Sequence, residues 1–181
     1  MTFAVTSPDN TIQARQIAFI DLEASGLGSA GFPTEIGWAI VCDDGSVESG
    51  SCLIKPPAKW TMYRNAWSAA SERLTGITRD MLDRDGVPPS EAMRRFLDAI
   101  GDRDLLSDEA DFDTHWLGML AEAAGKSIEG RTLGDAKKLI EEAAANDGSG
   151  MECGEPLRHR AEADARRLAL TFARGIASVG R

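Results

Sequence analysis

Two acidic side chains, Asp21 and Glu23, stand two residues apart in the run Ile17-Ala18-Phe19-Ile20-Asp21-Leu22-Glu23. The run is rich in β-formers and reads as a strand, so both carboxylates project from one face, behind Ile17 and Phe19. An apolar stripe therefore turns abruptly into two anions. Unpaired carboxylates in such a place are costly or shift their pKa, and two together call for a cation. A short Asp-x-Glu also admits a plainer reading, two solvated acids where a strand has ended.

Two further segments carry the same chemistry. Between Leu105 and Leu117 a β-run reaches Asp108, Glu109, Asp111 and Asp113, then turns into a helix with Trp116, Leu117 and Leu120 on its apolar face. Asp113 precedes that face by one turn and so lies on its inward side, although helix capping by Asp111 or Asp113 explains the position equally. At the start of the last helix comes His159-Arg160-Ala161-Glu162-Ala163-Asp164. His159 and Asp164 converge if the histidine stands on the preceding loop, where an imidazole can accept a proton from water. The plainer reading there is a capped, salt-bridged helix start.

Taken in order, four carboxylates from three elements and one imidazole are the parts of a two-cation site. Two divalent ions about 3.5–4 Å apart can activate a water and hold a phosphate during in-line displacement. Ligands that are all oxygens favour Mg²⁺ or Mn²⁺ over zinc.

The elements that must position these groups are legible from periodicity. After a polar, aperiodic lead-in at 1–15, one domain is expected over 16–181. Strands are expected to Glu23, over Glu35–Cys42 and over Val47–Ile54, with Asp43-Asp44-Gly45 as a turn and Pro56-Pro57 ending the pairing. Helices are expected over 65–74 and over 89–100 with Ser90 as N-cap, then a short strand over 104–107. Helices over 112–124, 132–145 and 158–177 follow, with a Gly-rich break at 146–150. Sequential β-runs followed by helix, strand and helices describe an α/β layer with a mixed sheet.

Composition narrows the partners. The chain has 181 residues, and 20 basic against 29 acidic side chains leave a net charge of −9. A surface that acidic repels a long duplex. Three scattered cysteines and two histidines argue against a zinc site or a disulfide scaffold. With Asp9 and no basic or apolar signal region near the start, and no stretch long enough for a bilayer, a cytoplasmic chain without a membrane partner is expected.

The motifs also resemble a known family. Asp21-Leu22-Glu23, Phe112-Asp113 and His159-Arg160-Ala161-Glu162-Ala163-Asp164 look like the three motifs of the DEDDh 3′–5′ exonucleases. That superfamily includes polymerase proofreading subunits, ribonuclease T, oligoribonuclease and the three-prime repair exonucleases. Glu35-Ile36-Gly37-Trp38-Ala39 and the segment from Ala70 to Thr78 are similar too, so the likeness runs from about Ile17 to Leu170. It implies a ribonuclease H-like fold, a mixed central β-sheet flanked by α-helices. It further implies that Asp21, Glu23, Asp113 and Asp164 hold two Mg²⁺ ions, for which Mn²⁺ may substitute, and that His159 is the general base. Leu22, Ala24, Leu27, Leu74 and Thr75 match the contacts to the terminal nucleotide. Small relatives are often dimers, so the resemblance also implies a homodimer.

Two positions depart from the common pattern. Thr75 stands where many members have histidine, as it does in the three-prime repair branch, and Glu109 stands where asparagine is usual. An extra carboxylate there can alter metal preference or substrate reach. Asp108 and Asp111 remain alternative ligands to Asp113. Among the tryptophans, Trp38 and Trp116 read as core, and Trp60 and Trp67 as the better stacking candidates. Arg158, Arg160, Arg166, Arg167 and Arg174 either steer a phosphate backbone or pair with neighbouring acids.

The expected activity is metal-dependent 3′–5′ exonucleolytic hydrolysis of single-stranded or short oligonucleotides, releasing nucleoside 5′-monophosphates. A non-catalytic nucleic-acid- or protein-binding module on the same fold is the alternative, and a nuclease of other polarity is a third reading.

Overall fold

Strand β3 (Ile17–Ala24) is buried on both faces over its first four residues, which places it in the middle of a sheet covered on each side. The computed structural model describes residues 4–5, 12–13, 17–128, 130–147 and 159–179. Strand β4 (Pro33–Val41) runs antiparallel to β3, and β5 (Val47–Leu53) antiparallel to β4. On the other edge, β6 (Asp104–Ser107) lies parallel to β3 and β7 (Leu133–Asp135) parallel to β6. The five-stranded order is β5-β4-β3-β6-β7, a mixed sheet. Within the lead-in, β1 (Ala4–Val5) and β2 (Ile12–Gln13) pair as a small antiparallel ladder, which its lack of periodicity did not suggest.

The period of two in β3 sorts its side chains between two cores. Ala18, Ile20, Leu22 and Ala24 face α4 (Pro89–Ile100) and α5 (Ala110–Ala123), burying Met93, Phe96, Trp116 and Leu117. Ile17 and Phe19 face α6 (Ala136–Asp147) and α7 (Ala161–Val179), where Leu168 and Phe172 close over them; the Phe19 and Phe172 ring centroids are 5.4 Å apart. Asp21 and Glu23 continue this second face. The acids of β3 therefore point toward the start of α7.

That helix start is pressed onto the sheet. A Cβ at Gly37 of β4 would overlap the carbonyl of Ala161, so only glycine lets the first turn of α7 approach so closely. Glu35, two residues earlier on β4 and 1% exposed, accepts hydrogen bonds from both Arg160 Nε and Nη2 at 2.9 Å, from the Ala161 N–H at 3.1 Å and from Ser51 Oγ at 2.9 Å.

The expected strands and the 89–100 helix are present, with differences that have local causes. Pro88 rather than Ser90 stands at the N-cap of α4, because Pro89 already occupies the first turn where its missing N–H costs nothing. The helix expected over 65–74 is shorter, α2 (Ala69–Thr75): the Ser68 hydroxyl caps it by accepting from the Ala70 and Ser71 N–H groups. Gly76, at φ 69°, ends it. Two short helices, α1 (Ala58–Thr61) and α3 (Arg79–Arg84), have too few residues to show a period. The helix expected from 132 begins instead as β7, because Leu133 and Asp135 find partners on the exposed edge of β6; α6 follows. Helix α7 starts at Ala161 rather than 158; Arg158 and positions 148–150 of the Gly-rich break lie outside the described residues. Among the described residues Cys42 and Cys52 are free thiols, and no helix is long and apolar enough to cross a membrane.

Two glycines give a test of opposite signs. Gly37→Ala is expected to cost about 1–3 kcal/mol, since α7 must lift off β4. Gly118→Ala, in α5 with open space around its Cβ position, is expected to gain about 0.5–1 kcal/mol. Urea midpoints at unchanged slope read both, and a neutral Gly37→Ala would show that the close approach is not needed.

Candidate metal centre

The site forms where β3 outruns its parallel neighbour. Strand β6 pairs with β3 only as far as Phe19↔Leu106. Beyond it, the Leu22 N–H turns to a side chain instead and donates to Asp113 Oδ1 at 3.1 Å. The other Asp113 oxygen accepts from the Ser107 hydroxyl at the end of β6. Asp113 is thus bonded to β3 and β6 rather than to the N–H groups of its own helix, so it is not a cap. The N-cap position, Glu109, has no side-chain cap bond. Asp111 is exposed, and Asp108 is paired with Arg167 at 2.8 Å. Of the acids in that segment, Asp113 is the one buried at the end of β3.

From the opposite layer, α7 brings Asp164 to the same place. Asp21, Glu23 and Asp164 each offer a carboxylate oxygen within 4.8 Å of the others. His159 stands two residues before α7 with φ 51°, the one non-glycine at positive φ among the described residues, a conformation held only where the surroundings dictate it. Its neighbours Arg160 and Ala161 are tied to Glu35, which supplies that constraint.

The residues expected to act as ligands, general base and terminal-nucleotide contacts all line one cleft of about 390 Å³: Asp21, Leu22, Glu23, Ala24, Leu27, Leu74, Thr75, Asp113, His159 and Asp164. They differ in how they face it. Leu27 and Leu74 are exposed, at 81% and 57%, and stand as an apolar rim. Leu22 and Ala24 are buried with the core on the far side of β3, so the cleft meets them along the strand. The Thr75 hydroxyl donates to the Ser71 carbonyl and accepts from the Ile77 N–H, which commits it to the backbone of the α2 end.

Burial and crowding set the protonation of the acids. Burial, then the charges of Asp113, Glu23 and Asp164, pushes Asp21 well above the usual carboxylate range. Glu23 is pushed to about 7, by burial first, then by Asp164, Glu35 and Asp113, with Arg160 opposing. Asp113 is also pushed to about 7 by burial, against the lowering effect of its bonds from Ser107 and Leu22. The nearby cations are already matched: Arg160 to Glu35, Arg167 to Asp108, and Lys137 to Glu109 at 2.9 Å. Among the described residues neither Asp21 nor Glu23 has an ion-pair partner. Largely withdrawn from solvent and all oxygen, with Asp21 and Glu23 lacking a cation among the described residues, this donor set fits a hard divalent cation.

Several cleft residues had no signal in the sequence reading or a faint one. Phe112 and Arg167 line it, and Arg167 sits three residues beyond Asp164, a helical spacing that marks a shared face. Lys137 reaches the cleft only because β7 lies beside β6, which the local pattern did not show. Its pairing with Glu109, 69% exposed, matches the charge of that departure from the family pattern. Trp60 is buried and stacked on Phe32 at 5.9 Å, so it is core rather than a stacking platform; Trp38 and Trp116 are core or against it as expected.

No protein-family model matches the sequence, and no curated protein matches it. Solved structures share its fold. Exonuclease I of E. coli, in its zinc-bound complex with single-stranded DNA, superimposes with TM-score 0.64 at 16% identity over 84% of this chain and 38% of that one. A 3′-exonuclease solved for specific recognition of the histone mRNA stem-loop gives 0.64 at 15% identity over 88% and 63%. The nuclease domain of 3′hExo, a DEDDh family member bound to rAMP, gives 0.62 at 16% identity over 87% and 90%. The chain thus spans well under two thirds of the first of these proteins and slightly under two thirds of the second. The shared architecture is the ribonuclease H-like α/β fold.

The raised carboxylates have a consequence for stability. A group whose folded pKa lies above its unfolded value destabilises the fold once pH climbs past the unfolded value, so the cost grows from about pH 4.5 to about pH 7. In EDTA, the melting temperature is therefore expected to rise as pH falls from about 8 to about 5.5. Mg²⁺ or Mn²⁺ should raise it more at the upper pH than at the lower. Asp21→Asn should raise the metal-free melting temperature near pH 8, at about 2–4 °C per kcal/mol recovered, and abolish the metal response. A flat, metal-insensitive profile for the unsubstituted chain would overturn this account of the cluster.

Proposed function

We propose that this chain is a divalent-metal-dependent 3′–5′ exonuclease that hydrolyses the terminal phosphodiester of single-stranded or short oligonucleotides and releases nucleoside 5′-monophosphates. The observation that carries the reading is the meeting of Asp21, Glu23 and Asp164 within 4.8 Å, in a cleft that also holds Asp113 and His159. The fold shared with exonucleases solved with single-stranded DNA and rAMP supports it.

In this reading Asp21, Glu23, Asp113 and Asp164 hold two Mg²⁺ or Mn²⁺ ions, which when bound supply Lewis-acid activation of water and neutralise charge on the phosphate. His159 accepts a proton from the attacking water on a ring nitrogen, held in place by the Arg160–Glu35 anchor that follows it. Leu27 and Leu74 sandwich the terminal base by apolar contact, which asks for no base-specific hydrogen bond and tolerates any sequence.

End-labelled RNA and DNA oligonucleotides test this. A 5′ label should give a ladder shortened stepwise, and a 3′ label a mononucleotide, in Mg²⁺ or Mn²⁺ and not in EDTA. His159→Ala is expected to lower kcat by about 10²–10⁴, the usual worth of a general base, with KM little changed. Asp113→Ala should lose activity in both metals. An unsubstituted chain that is inert in both metals yet binds the strand in EDTA would make it a binding module instead.

A further inference from the structure

A second hollow, of about 530 Å³, opens on the far side of the segment that joins the cleft to α3. Its floor is aromatic: Trp67 lies against the buried Phe32 with centroids 6.0 Å apart, and its indole N–H donates to Glu72 at 2.6 Å, which fixes the ring. Met62 and Tyr63 stand over it, 69% and 59% exposed. Its rim carries two guanidinium groups. Arg79 lies 5.1 Å from the centroid of the Trp67 ring, and Arg64 is exposed beside Tyr63. Among the described residues neither has an ion-pair partner, and one acid, Asp83, lines the same hollow.

An exposed tyrosine beside a half-buried tryptophan and two arginines with no ion-pair partner among the described residues is unusual company on a chain of net charge −9. Together they offer a flat apolar face to a planar ring and positive charge to a phosphate, in a volume suited to a nucleotide. The hollow and the metal cleft are separate, but one stretch of chain holds both. Ser25 accepts the Ser68 N–H at 2.7 Å and donates its hydroxyl to the Ala66 carbonyl at 2.6 Å, which ties the end of β3 to the chain before α2. Ala66 and Trp67 line the outer hollow, while Ser71, Leu74 and Thr75, one to two turns onward along α2, line the cleft.

We infer that this hollow is an upstream subsite that binds an internal nucleotide of a single strand whose 3′ end lies in the metal cleft. Tyr63 stacks on the base, and Arg64 and Arg79, the latter lying over the Trp67 ring, meet the backbone phosphates. The inference rests on the exonuclease reading for the direction of the strand, but not for the binding itself. It also gives an acidic chain a local means of holding a strand, confined to one hollow rather than spread over a face.

The test compares a dinucleotide with a dodecanucleotide, both fluorescein-labelled at the 5′ end. In EDTA, Arg64→Ala, Arg79→Ala and Tyr63→Ala should each weaken dodecanucleotide binding roughly tenfold, with the dinucleotide unaffected. Each arginine variant should lower the salt slope of dodecanucleotide binding by about one. In Mg²⁺ the same variants should raise KM on the dodecanucleotide at unchanged kcat, and Tyr63→Phe should restore it. Equal losses on both lengths, or none on the longer, overturn the subsite. If the dodecanucleotide binds with this dependence but is never cleaved, the subsite stands and the exonuclease reading falls. If it is cleaved with KM unchanged in all three variants, the reverse holds.

Discussion

The buried carboxylate of Glu35 is the point on which the geometry of the cleft depends. It receives the Arg160 guanidinium in two hydrogen bonds, the Ala161 N–H and the Ser51 hydroxyl, so a strand, its neighbour and a helix start meet on one anion. Arg160 is 41% exposed, which screens part of the attraction; the fixed two-pronged geometry matters more than the net charge energy. Beside it, Gly37 lets the α7 backbone rest on β4. Because α7 cannot slide or tilt against this anchor, His159 before it and Asp164 one turn inside it have settled positions relative to β3. Pairs such as Arg84–Asp85 and Lys59–Glu122, exposed on both sides, constrain nothing comparable.

Opposed to that anchor is a deliberate imbalance of charge. Three cations approach the cleft, and each is matched to a carboxylate other than Asp21 or Glu23: Arg160 to Glu35, Arg167 to Asp108, Lys137 to Glu109. The uncompensated pair is carried on the central strand of the sheet, at the end of the same stripe that Ile17 and Phe19 pack against α7. The core of β3 therefore holds in place a repulsion that would otherwise splay the strand end from the helix. Such strain at one site, compensated by packing elsewhere, is the usual form of a site prepared for a cation.

The net charge of −9 takes a local meaning from this. Part of it is the cluster itself, which a divalent ion would neutralise. The arginines of the second hollow, without an acidic partner among the described residues, sit on the other side of the Ser25–Ser68 seam. Acid and base are thus segregated over a short stretch of surface, with the apolar rim of Leu27 and Leu74 on the acidic side of that seam.

What could be read from the sequence were features with a period or a local stop. The alternation of β3 placed Asp21 and Glu23 on one face, the 104–107 strand and the 89–100 helix stand where their patterns put them, and the order of the three acidic segments carried a resemblance. Features made by distant partners could not be read. The 133–135 strand looked like helix because its reason to be extended is the edge of β6, and Lys137 enters the cleft as a consequence. From the local pattern capping explains Asp113 as well as any other role; its bonds from Leu22 and Ser107, 91 and 6 residues away, are what exclude capping. The pairing of Glu35 with Arg160, across 125 residues, left no trace in either local pattern. Residue types and their spacing decide which groups are offered and on which face of an element, since both follow from backbone periodicity. Which of those groups meet, and which charges are left unmatched, is decided by sheet order and helix docking, because burial and Coulomb energies depend on distance in space rather than along the chain.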